Sequence, residues 1–204
     1  MATNKQLQMW QGDFGKAYTD RNLADAHQRS TGFAKMLSGL PLRGVLEVGC
    51  NRGHNLAAIA EVLGTGVELA GVEPNPYALQ IAQRIPGIRA VSGNAYALPF
   101  PDAGFDLVFT CGVLIHIPPS DLPRAIAEIY RVSRRYILAV EYFSPEDTAI
   151  DYRGHKDLLF KGDFKKYYQQ QFPSLRLAAT GEFADDEHGF AQSTWWLLSK
   201  PESV

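Results

Sequence analysis

Gly49-Cys-Asn-Arg-Gly53 follows directly on the apolar run Val45-Leu-Glu-Val48. A strand feeding such a turn brings backbone close to a ligand, because glycine accepts positive φ and carries no Cβ. Asn51 occupies a position where such a turn often has glycine; asparagine tolerates the left-handed region better than most residues, so Asn51 is expected there at positive φ. Glu73 closes a second apolar run, where an acidic side chain can accept both hydroxyls of a ribose. Asn94, in Ser92-Gly-Asn-Ala-Tyr96, adds an amide suited to the edge of an adenine. Taken singly, these features also fit a tight turn or a solvated acid. Taken together they favour an adenosine-type ligand. A nicotinamide dinucleotide uses the same strand, turn and acid, but its fingerprint continues into G-x-x-G, and here Gly53 is followed by His54-Asn55-Leu56.

The elements that must position these groups are legible in the periodicity. Gly44 to Gly49, Glu68 to Glu73, Ile88 to Ser92, Phe105 to Thr110 and Tyr136 to Val140 read as buried strands. Leu56, Ile59, Ala60 and Leu63 share one helical face, as do Ala78, Ile81, Ala82 and Ile85. Pro118-Pro119-Ser120-Asp121 announces a further helix. Strand and helix alternating in this way predict a parallel sheet. A polar helix near 164–172 and strands around 175–180 and 194–199 follow. Residues 1–40 show helix-spaced apolar positions broken by Gly12 and Gly15 and are expected to form a helical cap of one or two helices. Residues 143–161 show no clear period and are expected to be a long lid loop.

The chain has 204 residues, 46% of them hydrophobic and 21% charged, with a formal net charge of −2. One α/β domain over 1–204 is expected. Lysine and arginine form no basic stripe, which argues against nucleic acid as substrate. No run approaches the roughly 20 apolar residues of a membrane-spanning helix, and no secretory signal core is visible, so a cytoplasmic protein is expected. Cys50 and Cys111 suggest neither a metal-ligand set nor a disulfide framework, and they read as small packing residues beside the ligand.

Val45 to Gly53, Gly71-Val-Glu-Pro74, Gly93-Asn-Ala-Tyr-Ala-Leu-Pro-Phe100 and Phe105-Asp-Leu-Val-Phe-Thr110 resemble the successive motifs of class I S-adenosylmethionine methyltransferases. More narrowly, Trp10-Gln-Gly-Asp-Phe-Gly15, Gly112-Val-Leu-Ile-His-Ile117, Tyr152-Arg-Gly-His155 and Thr194-Trp-Trp-Leu-Leu198 resemble the pseudaminic acid biosynthesis-associated methylases, over nearly the whole chain. The resemblance implies an α/β, Rossmann-like fold: a seven-stranded, mostly parallel sheet with a reversed last strand and helices on both faces. It implies S-adenosylmethionine as cofactor, with contacts from Glu47, Gly49, Cys50, Asn51, Gly53, Glu73, Pro74, Asn94, Ala95, Thr110, Cys111 and Gly112. It also suggests a small-molecule acceptor, such as a sugar or amino-sugar intermediate, and a monomer or homodimer. Asn51 and Asn94 depart from the family's usual glycine and aspartate.

Methyl transfer is an in-line displacement in which alignment dominates and a base removes a proton. His116 is the first candidate base, or else an imidazole that caps the Pro118-Pro119 turn. Tyr152, Arg153 and His155 either cover the acceptor, with Arg153 as a bidentate anion binder, or belong to an exposed loop. Trp10, Phe14 and Tyr18 lie at helical spacing, which suits core packing but also cation–π contact with a sulfonium. Arg21 is the candidate for the cofactor's carboxylate, as N-terminal Tyr and Arg residues act in similar methyltransferases. Two other readings stand beside methyl transfer: cyclisation of the cofactor's own amino-acid chain with release of methylthioadenosine, and cofactor binding without catalysis.

Overall fold

The computed structural model describes residues 5–186, 188–190 and 192–201. Five parallel strands form its centre: β1 (Gly44–Val48), β2 (Glu68–Glu73), β3 (Ile88–Ser92), β4 (Phe105–Cys111) and β5 (Ser133–Glu141). Every residue of β1 is buried, as expected for a strand sandwiched between two others and covered on both faces. Two outer strands, β8 (Arg176–Phe183) and β9 (Ser193–Ser199), complete the order β3-β2-β1-β4-β5-β9-β8, and β9 runs antiparallel to both its neighbours. This is the expected sheet with its reversed last strand.

Helices cover both faces. On one face α3 (Ala26–Leu37), α4 (His54–Leu63) and α5 (Pro76–Ala82) bury Phe33, Met36, Leu56, Ile59 and Leu79 against Val45, Leu107 and Leu138. On the other, α6 (Leu122–Val132) and α7 (Phe164–Gln171) bury Ile126, Ile129, Phe164 and Tyr168 against Leu46, Val108 and Ile137. Each such Leu, Ile, Met or Phe side chain contributes about 1.5–3 kcal/mol on burial. Helix starts follow local chemistry. The Asn75 side chain accepts from Tyr77 N and Ala78 N ahead of Pro76, and Asp163 accepts from Lys166 N.

The N-terminal cap consists of three helices: α1 (Lys5–Gln11), α2 (Asp13–Arg21) and α3; residues 1–4 of the expected cap lie outside the described residues. A second difference concerns the lid. The segment expected as a loop contains an antiparallel hairpin, β6 (Thr148–Tyr152) and β7 (His155–Lys161), separate from the main sheet. Its two-residue turn, Arg153-Gly154, has φ of 55° and 80°, the signature of the tight hairpin turns that suit strand twist. The Asp151 carboxylate accepts from Gly154 N. The period was hard to see because most hairpin residues are exposed and only Leu158 and Leu159 are buried.

Candidate active site

The strand order reverses between β1 and β4, and the carboxyl ends of these strands open on a cleft of about 410 Å³. This is where open α/β sheets bind ligands. Glu47, Gly49, Cys50, Asn51, Glu73, Pro74, Asn94, Ala95, Cys111 and Gly112 all line it, together with Trp10, Tyr18, His116 and Tyr152.

Asn51 has φ of +47°, between Gly49 at +76° and Gly53 at +80°, so asparagine makes the turn that glycine usually makes. It also does what glycine cannot. Its amide donates to the Thr19 hydroxyl (3.1 Å) of α2, and its carbonyl oxygen accepts from Arg52 N (2.8 Å). The buried Glu73 carboxylate accepts from Asn51 N and Asn75 N, both at 2.8 Å. Burial nevertheless pushes its pKa up to about 7, with these backbone bonds acting in the opposite sense. Asn94 uses its carbonyl oxygen to accept from Tyr96 N (2.9 Å), which fixes the side chain at the cleft wall.

A second polar array joins Glu47, expected from the sequence, to Asn55 and Arg29, which the sequence pattern did not single out. Asn55 donates to Glu47 Oε1 (2.6 Å) and accepts from Arg29 (2.5 Å), and all three line the cleft. Glu47 Oε2 and Arg29 Nε are buried without partners. Burial raises the Glu47 carboxyl to about 8. The signal lay in α3, where Arg29 interrupts the apolar stripe of Ala26, Phe33 and Leu37: a cation on a core-facing stripe needs a reason. Its guanidinium also sits 4.9 Å from the Phe190 ring centroid.

Residues of α1, α2, the Leu114–His116 turn and the β6–β7 hairpin roof the cleft. Trp10 of α1 meets the rings of Phe14 (5.2 Å), Tyr18 (5.3 Å) and His116 (4.4 Å), and His116 meets Tyr152 of β6 at 5.6 Å. His116 Nδ1 lies 2.6 Å from the Leu158 carbonyl of β7. A carbonyl only accepts, so Nδ1 carries the proton and Nε2 presents a lone pair. Burial lowers the imidazole pKa to about 4, the carbonyl contact opposing the shift. The loop that carries His116 is held from below, since the buried Glu141 carboxylate accepts from Val113 N, Leu114 N and Ile115 N at 3.1–3.4 Å.

Five residues assigned to the site from sequence do not line the cleft. Gly53 sits at the N-cap of α4, where a Cβ would come within 2.9 Å of Ile85, so its role is conformation and packing. Thr110 is fully buried inside β4. Arg21 is exposed, its guanidinium over the Phe14 and Tyr18 rings, and is not part of the lining. Arg153 is exposed at the hairpin tip over the Tyr152 ring, and His155 is exposed beside Phe14; neither is part of the cleft lining. Cys50 and Cys111 are free thiols whose pKa values burial raises.

Comparisons with known proteins agree with this geometry. The family described as "Methyltransferase domain" matches residues 45–135. An uncharacterised methyltransferase of Bacillus subtilis is 30% identical over 115 residues, 52% of this chain and 44% of that protein. The 27-O-demethylrifamycin SV methyltransferase of Amycolatopsis mediterranei is 29% identical over 157 residues, 71% of this chain and 57% of that protein. The chain thus spans about half the length of the curated relatives it matches. Among solved structures, the 1,6-didemethyltoxoflavin-N1-methyltransferase of Burkholderia thailandensis, with bound S-adenosylhomocysteine, superposes with a TM-score of 0.68 at 17% identity, covering 96% of this chain and 85% of that one. A methyltransferase chain in complex with the Haloferax volcanii Trm112 activator gives 0.69 at 16% identity, covering 98% and 97%. The fold is therefore the Rossmann-like fold of class I methyltransferases, and residues 45–135 carry its domain.

Proposed function

We propose that this protein is an S-adenosylmethionine-dependent methyltransferase acting on a small molecule, a sugar or amino sugar among the candidates. The observation that carries the reading is the pairing of two arrays at the strand switch point. Glu73 and Asn94 suit a ribose and an adenine, while the unpartnered Glu47 Oε2 and Arg29 Nε suit an α-ammonium and an α-carboxylate. The residues present fit the cofactor. When bound, it supplies an electrophilic methyl group on a sulfonium.

The chain's own contribution is alignment and exclusion of water. Glu73 and the Gly49–Asn51 backbone fix the nucleoside end; Glu47 and Arg29 fix the amino-acid end. Trp10, Tyr18 and Tyr152 close the intervening space with π-faces that favour positive charge. His116 Nε2, a lone pair on a neutral imidazole, takes the hydrogen bond of an acceptor hydroxyl or amine, which becomes acidic as its bond to carbon forms. A fixed geometry of this kind can supply about 7–11 kcal/mol of barrier reduction, well above a single base.

Isothermal titration with S-adenosylhomocysteine tests the reading: binding is expected, with loss in Glu73→Ala, and no heat from the correctly folded wild type overturns it. One observation favours a second reading. The roof rings pack on one another at 4.4–6.2 Å, an enclosure that suits intramolecular attack by the cofactor's amine. Incubation with the cofactor alone decides between them, since methylthioadenosine as product supports cyclisation and unchanged cofactor supports transfer.

A further inference from the structure

Resting on the methyltransferase reading, we infer that the acceptor is an uncharged, ring-bearing molecule whose hydroxyl or N–H group sits between Trp10 Nε1 and His116 Nε2. Charge in the cleft is divided. Glu73 and Glu141 are taken up by backbone N–H groups, Arg52 donates to the Thr19 carbonyl, and Glu47 and Arg29 flank Asn55. All of these come from the sheet ends, the first turn and α3. By contrast, α1, the Leu114–His116 turn and the hairpin contribute no Asp, Glu, Lys or Arg to the lining among the described residues. Their polar groups are the Gln6 amide, which donates to the Asp157 carbonyl, the Tyr152 hydroxyl, Trp10 Nε1 and the His116 imidazole.

Among the described residues, α1, the Leu114–His116 turn and the hairpin offer an anionic acceptor no Lys or Arg, and the cleft's Arg29 and Arg52 lie on α3 and the first turn. Arg153 is exposed and does not line the cleft, its guanidinium lying 5.9 Å from the Tyr152 ring centroid, and burial disfavours the imidazolium form of His116. Burying an unpaired carboxylate or phosphate costs several kcal/mol, which disfavours nucleotide-linked and phosphorylated substrates. The roof instead offers a matched pair. Trp10 Nε1 is a buried donor without a partner, and the ring of His116, with its Nε2 lone pair, lies 4.4 Å away by centroid. A hydroxyl satisfies both, its oxygen accepting from Trp10 and its hydrogen going to His116. The flanking aromatic faces suit a flat ring or the apolar face of a sugar.

The test uses the full chain saturated with S-adenosylhomocysteine and ligand-observed NMR on matched pairs: methyl 4-hydroxybenzoate against 4-hydroxybenzoate, and methyl glucoside against glucose 6-phosphate, extended to a panel of phenols, indoles and glycosides. Neutral members are expected to bind about tenfold or more tightly than their anionic partners. In Trp10→Phe, which keeps the ring and removes the donor, the preference for a hydroxyl over its methyl ether is expected to vanish; that ratio is insensitive to a general loss of stability. Anionic members that bind as tightly as neutral ones overturn the inference, as does a panel in which nothing binds the loaded protein. If S-adenosylhomocysteine itself fails to bind, the methyltransferase reading falls first and the inference with it.

Discussion

Asn75 ties the roof to the sheet, and replacing it separates two roles of one side chain. Its carbonyl oxygen caps α5 by accepting from Tyr77 N (3.0 Å) and Ala78 N (3.3 Å), while its amide donates to the Trp10 carbonyl (2.8 Å) and the Gly12 carbonyl (3.1 Å) at the α1–α2 junction. Loss of a cap costs about 1 kcal/mol. Each of the two amide bonds contributes roughly 0.5–1.5 kcal/mol. Asn75→Ala should therefore lower stability by about 2–4 kcal/mol, a urea midpoint shift of about 1–2 M for an m-value near 2 kcal/mol/M. Asn75→Asp keeps the acceptor for α5 and sets an oxygen against two carbonyls. It should retain the cap, lose the tether, and weaken S-adenosylhomocysteine binding because Trp10 lines the cleft. Urea denaturation and isothermal titration on both variants decide the matter. An Asn75→Asp protein equal to wild type in both measurements would refute the tether, and an Asn75→Ala loss of no more than about 1 kcal/mol would reduce Asn75 to a cap.

Arg29→Met should weaken S-adenosylhomocysteine binding by about 10- to 100-fold, the worth of a charge-assisted hydrogen bond, whereas Arg21→Met should change it less than threefold by the same measurement. Gly15→Ala places a Cβ 1.9 Å from the Trp10 carbonyl oxygen and 2.7 Å from the Asn75 amide, so α1 must shift; a lower thermal midpoint and weaker cofactor binding are expected together. Glu47, Glu73 and Glu141 have folded pKa values raised to about 8, 7 and 7. The folded state therefore holds their protons longer than the unfolded state, and their contribution is present at low pH and lost as pH rises through these values. His116, lowered to about 4, acts in the opposite sense, but only below its unfolded value near 6.5. Between pH 6.5 and 8 the urea midpoint of the ligand-free protein should fall, and Glu47→Gln should flatten the slope; a midpoint that rises over this window refutes the assignment.

The sheet was legible because buried parallel strands read as continuous apolar runs, as in Val45 to Val48 and Leu107 to Phe109. The Gly49–Glu73 side of the cleft was legible because a strand, a turn and an acid fall close together in sequence. The remainder was assembled across distance. Arg29 lies between strand ends only because α3 folds back on α4, and no local pattern pairs it with Glu47. Arg153 and His155 stand out by residue type, whereas their exposure follows from the tight Arg153-Gly154 turn that puts them at the hairpin's tip. The strand β5 begins earlier than its apolar core suggests, because its first residues include the exposed Arg134 and Arg135, which leave no apolar pattern; Arg134 pairs with Asp106 at 2.9 Å, a contact invisible in a one-dimensional pattern.

The bond from His116 to the Leu158 carbonyl joins the chemistry of one ring to the position of the hairpin. Were β7 to lift, Nδ1 would lose its acceptor and the ring would meet water, where an imidazole titrates near 6.5. The opened site can then pick up a proton near neutral pH, and the closed site cannot hold it. Such an opening would take up a proton and re-closure would expel it, so in mildly acidic solution the shut form would be reached at the expense of a protonation equilibrium as well as of conformational freedom.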